Sequence, residues 1–321
     1  VLRAIAREDS IPVVFSSTWA RDAYPDADHV TILWRGEPAV TLPTSQVTES
    51  ALIERWTGGT PRRAPTGPHA AGEAVLKVEG IVLEGRGRET SLAGVGFDVR
   101  TGEVLAIVGA PGDGLGLLHE MLLGQRAPGG GSILFLGKEM SATDRRQRVE
   151  AGMSFVNPPH ARDQSLGGFT VEENLIFGQT RRGPFSRRGW LKFDSIRGNA
   201  VRSLMDFEVP DAKPRDRFGR LSMGARQRIV IAREVLRNPV LLVARSPAQG
   251  LALEAQEYVR KTLVLQCERG SGLLWLTEDP EEALRVADRL AVLAAGRLVW
   301  LPVTETLTRE TIIDEMSGTA A

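Results

Sequence analysis

At 321 residues the chain has length for about two domains, and 42% hydrophobic with 25% charged residues is ordinary globular composition. Forty Lys and Arg balance forty Asp and Glu, so no global charge directs it toward nucleic acid or an anionic membrane, and any anion site must be local. One cysteine, Cys267, excludes an internal disulfide and a thiolate metal cage; secreted miniproteins and zinc fingers are set aside, and an intracellular location is the expectation.

No apolar run reaches the roughly 18 residues of a membrane-spanning helix; Val104 to Ala110 and Val240 to Ala244 have the length of buried strands. The chain opens on Val1 without an initiator Met or a signal-peptide pattern, so a piece of a longer protein is expected. An internal repeat agrees. Residues 11–58 align with residues 271–318 without a gap, at an offset of 260. Ala27-Asp28 pairs with Ala287-Asp288, Leu33 with Leu293, Gly36 with Gly296, Thr44 with Thr304, Thr48 with Thr308 and Ile53 with Ile313. Such an offset is the size of a domain, not of a solenoid repeat. The expected organisation is the tail of a preceding domain over residues 1–59, a Pro- and Gly-rich linker over 60–73, and a second copy over 74–318. In the tail, Val13 to Phe15 and His29 to Leu33 are expected as strands, accompanied by two helices.

Within the second copy, Val75 to Val78 and Gly96 to Val99 predict an antiparallel β piece near residues 75–100. Glu103 to Val108 is a continuous apolar strand, Gly109 to Gly116 is glycine-rich, and Leu117 to Leu123 has helical apolar spacing. A strand, tight turn and helix in this order aim backbone N–H groups and a helix N-terminus at one point, which suits a phosphate. Gly109 and Gly114, with Gly112 between them, have P-loop spacing, but Leu115 stands at the Lys position and Gly116 at the Ser/Thr position. Those two residues would hold the β- and γ-phosphates and ligate magnesium, so the loop alone reads as a phosphate cradle or as a ligand-free glycine turn.

Ser154 to Val156 predicts a strand. Thr170 is placed as an N-cap with Glu173 three residues on, opening a short helix through Leu175, and a basic loop follows with Arg181-Arg182 and Arg187-Arg188. Residues from about 158 to 220 form a helical insert. Arg220 to Arg228 opens a helix running to Leu236, Asn238-Pro239 stops it, and Val240 to Ala244 is a buried strand.

This order of motifs resembles the ATP-binding cassette of ABC transporters: the P-loop strand, Thr-Val-Glu-Glu-Asn, Leu-Ser-x-Gly with Gln-Arg-Ile-Val-Ile-Ala-Arg, Asn-Pro-x-Leu-Leu, Pro-x-x-Gly-Leu, and Ala-Asp-Arg-Leu-Ala-Val-Leu-x-x-Gly-Arg. The tandem layout, with Pro184 to Leu191, is similar to double-cassette importers of simple sugars and nucleosides, closest to the nucleoside branch. The resemblance implies an α/β fold, P-loop NTPase-like, with antiparallel β and helical subdomains. It implies ATP and Mg2+ as cofactors and ATP-driven transport as the activity. Implied partners are membrane permease subunits, the first cassette of the same parent chain and, indirectly, a substrate-binding protein, with no nucleic acid. The implied location is the cytoplasmic face of the membrane.

Carried over by position, Gly109, Gly112, Gly114, Leu115 and Gly116 belong to the phosphate loop, while Ser222 and Gly224 belong to the signature that serves the other cassette's nucleotide. The bland alternative for Leu221 to Gly224 is an N-capped helix start. Met223 stands at a Gly position, where a side chain is expected to crowd the phosphate. Arg245 and Ser246 stand where the family has the magnesium-organising Asp and the water-activating Glu. Ala252 replaces an Asp, Glu278 the switch histidine and Thr18 its first-copy counterpart. Asn157 to His160 replaces a Pro-Glu-Asp-Arg stretch, and no aromatic lies between Val75 and Leu92 to stack on adenine. No catalytic position is intact and no metal site is expected. The expectation is a partner cassette with an impaired site of its own, coupling through Asn157 to Gly189. A non-hydrolytic scaffold or decayed cassette binding no nucleotide is the alternative. The four histidines His29, His69, His119 and His160 lack ligand spacing and read as structural or surface residues.

Overall fold

The computed structural model describes residues 5–6, 11–16, 27–34, 37–48, 51, 72–87, 89–180 and 183–318. They fall into two units, residues 1–61 with 252–254 and residues 62–251 with 255–321.

In the first unit, β1 (His29–Trp34) pairs antiparallel with β2 (Glu37–Pro43), and a 3-10 turn, Thr44–Gln46, follows. Residues 11–16 carry no strand and Val14 is 97% exposed, which corrects the expected strand Val13 to Phe15. Its counterpart, Leu273 to Trp275, has a strand on each side. Among the described residues nothing lies beside 11–16 to complete a ladder, and an isolated strand does not hold itself. Thr18, His69, the two expected tail helices apart from Ala51, residues 60–71 of the linker and Arg181-Arg182 of the expected basic loop lie outside the described residues.

In the second unit β3 (Ala74–Leu83) and β4 (Leu92–Arg100) pair antiparallel, and β5 (Val104–Gly109) leads into α1 (Leu115–Leu122). β6 (Gly130–Phe135) and β7 (Lys138–Glu139) return to the free edge of β3, giving the order β4-β3-β6-β7. The antiparallel piece thus recruits residues 130–139 beyond the expected 75–100. α2 (Arg145–Ala151) and β8 (Met153–Val156) come next.

The insert holds α3 (Val171–Leu175), a hairpin of β9 (Ser186–Arg187) and β10 (Trp190–Leu191), and α4 (Phe193–Asp206). The expected capping box is present: Glu173 N donates to Thr170 Oγ1 at 3.3 Å, and Thr170 N to Glu173 Oε2 at 2.7 Å. The insert is therefore not purely helical. Arg187-Arg188, expected in a basic loop, belongs to the hairpin, because Arg188 and Gly189 adopt φ of 50° and 86° and close a tight turn of the kind that matches strand twist.

α5 (Met223–Val235), β11 (Leu241–Arg245), α6 (Leu253–Glu268), β12 (Gly272–Thr277), α7 (Pro280–Val286), β13 (Arg289–Ala294), β14 (Arg297–Leu301) and α8 (Arg309–Met316) complete the chain. The main sheet has the order β14-β13-β5-β12-β11-β8, parallel except for β14. Its central strands are apolar throughout because both faces are covered. Val104, Ala106 and Val108 face one core, with Leu242, Ala244 and Trp275 and the helices α3 to α5. Leu105 and Ile107 face the other, with Val243, Leu274, α1 and the antiparallel sheet. The architecture is P-loop NTPase-like, with mixed sheets and helical subdomains, as expected.

Some local geometry is common to the two aligned stretches. Trp34 opposes Glu37 and Leu33 opposes Pro38, as Ala294 opposes Arg297 and Leu293 opposes Leu298. Val47 N donates to Thr44 O at 3.4 Å and Leu307 N to Thr304 O at 3.2 Å. Ala51 N donates to Thr48 Oγ1 at 3.2 Å and Thr311 N to Thr308 Oγ1 at 3.3 Å. Each pair differs by the same offset of 260.

Candidate functional site

The carboxyl ends of neighbouring parallel strands gather the loops that can bind a ligand, the usual position in an open α/β sheet. β5 ends in the glycine loop, β11 in Arg245, β12 just before Glu278 and β8 just before Asn157.

In the loop, Gly112 and Gly114 adopt φ of 95° and 96°, the left-handed region, and Gly114 caps α1. Asp113 N donates to Ala110 O at 3.1 Å and Thr90 N reaches Gly112 O at 2.8 Å, fixing the turn. The N–H groups of Gly114, Leu115 and Gly116 find no acceptor among the described residues, so the helix N-terminus keeps donors for an anion. Gly109 ends β5 under the backbone of β13: a Cβ there would stand 3.1 Å from Leu293 O. Leu115 is 2% exposed and joins the core around α1 instead of reaching over the loop.

Arg245 ends β11, and its guanidinium lies 3.7 Å from where a Cβ of Gly116 would stand; Glu89 Oε1 lies 3.2 Å from the same point. Ser246, 5% exposed, is held at φ 37° with its N–H on Leu276 O at 2.8 Å. A non-glycine residue in this region is strained, and only over-determined surroundings keep it there. Arg245, Ser246 and Glu278 line one cavity of about 370 Å³ with His119, Asn157 and Asp163. The structure thus brings together the three residues at the substituted catalytic positions. Gly109, Gly112, Gly114, Leu115 and Gly116 do not line this cavity, which Arg245 connects to the loop, and neither do Ser222 and Gly224.

Magnesium is tested by its donor chemistry. Gly116 offers no oxygen side chain, Arg245 is a cation, and among the described residues no group of three or more His, Cys, Asp or Glu is placed to hold a metal ion. The residues do not fit Mg2+. They do fit a phosphate, through the free N–H groups and the guanidinium.

His119, read from the sequence as structural or surface, is 3% exposed on α1 one turn after Gly116. Burial first, then the Arg245 charge, pushes its pKa down to about 3, so the imidazole is neutral. Sequence reasoning also missed a buried amide network. Gln227 Nε2 donates to Asn157 O at 3.0 Å and to Pro247 O at 2.8 Å. Gln164 Nε2 donates to Gln227 Oε1 at 3.2 Å and to Pro158 O at 2.8 Å. It joins α5 to the stretch after β8 and the turn after β11. The signal was a glutamine followed by an apolar helix run.

At the start of α5, Ser222 is the exposed N-cap and accepts from Ala225 N at 3.2 Å. Met223, expected to crowd this end, packs against the core, its Cε 3.9 Å from where a Cβ of Gly250 would stand.

Residues 92–249 match the family model described as ABC transporter. The chain is 30% identical over 322 residues to the glucose import ATP-binding protein of Haloferax volcanii, covering 97% of this chain and 57% of that protein. It is 29% identical to the nucleoside import ATP-binding protein of Lactococcus lactis, covering 88% and 56%. The chain therefore spans little more than half the length of these relatives. A crystal structure of an ATP-binding cassette of an ABC transporter superposes with a TM-score of 0.61 at 23% identity, covering 76% of this chain and 96% of that one. A nucleotide-free cassette gives 0.59 at 22%, covering 71% and 90%. Fold and site define a P-loop NTPase-like protein. More narrowly, residues 92–249 carry the match to the ABC-transporter model, and most of the chain is similar to sugar and nucleoside import ATP-binding proteins.

Proposed function

We propose that this chain is part of the ATP-binding subunit of an ABC importer for a nucleoside or a simple sugar. Residues 74–318 are its second cassette and residues 1–59 the tail of the first. The cassette works as a partner: its own site is impaired in hydrolysis, and Ser222 and Gly224 complete the nucleotide site of the first cassette. Asn157 to Gly189 couples it to the permease subunits, at the cytoplasmic face of the membrane. Among the described residues no helix is long and apolar enough to cross a membrane.

The observation that carries this reading is an asymmetry. The signature end of α5 keeps an exposed N-cap with Met223 turned inward, while the chain's own site has Arg245 and Ser246 in place of acidic residues. The import functions printed for the relatives support the substrate class. The recurrence of the hairpin and the threonine hydrogen bonds supports the tail assignment.

The test is ATP binding by the parent protein with its upstream cassette restored. Binding that is lost on Gly224→Trp, at the α5 end, supports the partner role. A parent protein without nucleotide affinity, or with affinity indifferent to Gly224→Trp, overturns it and favours a non-hydrolytic scaffold.

A further inference from the structure

Beside the glycine loop the chain carries a cation, the Arg245 guanidinium. Arg245 Nη2 and Nη1 stand 3.7 and 4.0 Å from the Cβ position of Gly116, beside the free N–H groups that open α1. No ion pair holds this guanidinium among the described residues. A guanidinium is a delocalised cation that presents several N–H donors in a plane, a geometry suited to phosphate oxygens. The cavity that Arg245 lines is walled by His119 and Asn157, 3% and 2% exposed, whose side chains partner each other.

We propose that this loop binds a phosphate-bearing nucleotide free of divalent cation, with Arg245 supplying the positive charge in place of the metal. A metal bound to the phosphates would meet Arg245 at close range, and the repulsion of like charges makes the metal complex the poorer ligand. Glu89 gives the seat a competitor. Its Oε1 lies 3.2 Å from the Gly116 Cβ position, so a chain carboxylate already faces the cationic end of α1. A phosphate entering there displaces or repels it. Glu278, Asp163 and Glu120 line the neighbouring cavity that Arg245 shares, which Glu89 does not line. Asp163 is held by Arg145 at 3.7 Å and by Asn157 Nδ2 at 3.0 Å, which leaves Glu278 and Glu120 as the carboxylates a long polyphosphate would meet. The proposal rests on the loop being a nucleotide site and not on the chain's role as partner cassette.

The experiment is calorimetric titration of ADP and of ATP into this chain, in EDTA and in magnesium at matched ionic strength. Binding in EDTA as tight as in magnesium or tighter is expected. Arg245→Gln should weaken it by about tenfold or more, Arg245→Lys should keep it independent of metal, and Glu89→Gln should tighten it a few-fold. Circular dichroism of each variant separates lost binding from lost fold, and the magnesium comparison needs no variant. Binding that requires magnesium, or that is unchanged in folded Arg245→Gln, overturns the proposal. No binding of either nucleotide overturns it as well, and leaves the partner role to be decided by the restored upstream cassette.

Discussion

His119 and Asn157, both buried, line the same cavity, and the Asn157 side chain is a hydrogen-bond partner of the His119 imidazole. The pair sits where α1 passes the end of β8, one turn beyond the glycine loop. Asn157 acts to raise the His119 pKa, but burial and the Arg245 charge outweigh it, and the result is a sensitivity to acid that the chain's balanced net charge does not suggest.

With its pKa pushed down to about 3, His119 is neutral in the native protein, whereas in the unfolded chain it titrates near 6.5. Between these values the unfolded state binds a proton that the native state refuses. Stability is therefore full above about pH 6.5 and falls as pH drops toward about 3, by up to about 1.4 kcal/mol per pH unit from this group. His119→Leu removes the titration. Urea midpoints at pH 7 and pH 5 should fall less in the variant than in the parent. Equal losses in the two proteins would assign the acid sensitivity to other groups.

Gly114→Ala tests the loop's backbone. The residue has φ 96°, and a Cβ there would lie 2.8 Å from Leu92 Cδ2 and 3.2 Å from Thr90 O. Left-handed strain and this crowding add, so a loss of about 2–3 kcal/mol is expected in urea unfolding, with the slope unchanged. Gly168→Ala is the control. Nothing lies within 4 Å of the Cβ position there, and the change should stay within about 0.5 kcal/mol.

Much of this was legible in the sequence because burial writes a simple pattern. The runs at Val104, Leu241 and Gly272 are apolar since both faces of β5, β11 and β12 are covered. Thr170 and Glu173 announce their helix because capping is local. What was missed is non-local or very short. β9 and β10 have two residues each, too few for periodicity. Gln227 meets Gln164 across 63 positions, and its role follows only once the fold brings them together. His119 falls within an apolar helical stretch, so nothing in the spacing separates it from the core. Arg245 and Glu278 were identified by motif position, but Glu89 belongs to a loop whose approach to Gly116 no pattern encodes.

Arg289 joins the two sheets, and its removal should show how firmly. On β13, its Nη1 donates to Glu103 Oε1 at 3.1 Å and its Nη2 to Asp98 Oδ1 at 3.1 Å on β4, while the guanidinium lies 4.7 Å over the Trp300 ring. Glu103 is 7% exposed and also accepts from Arg100 N at 3.0 Å. Burial acts to raise the Asp98 pKa, but the hydrogen bonds and charges of Arg100 and Arg289 outweigh it and hold the carboxyl below its ordinary value. Arg289→Met leaves the Glu103 carboxylate without a facing cation, so a loss of about 2 kcal/mol is expected near pH 7, below the range for fully buried pairs because Arg289 is 35% exposed. In the parent, the stabilisation carried by the lowered Asp98 pKa is present above about pH 4 and lost as pH falls through its folded value. A cycle with Glu103→Gln should return a coupling of about 1–2 kcal/mol. A coupling near zero would mean that Arg289 acts through Asp98 and Trp300 alone, and that the buried end of the network is held by Arg100 N.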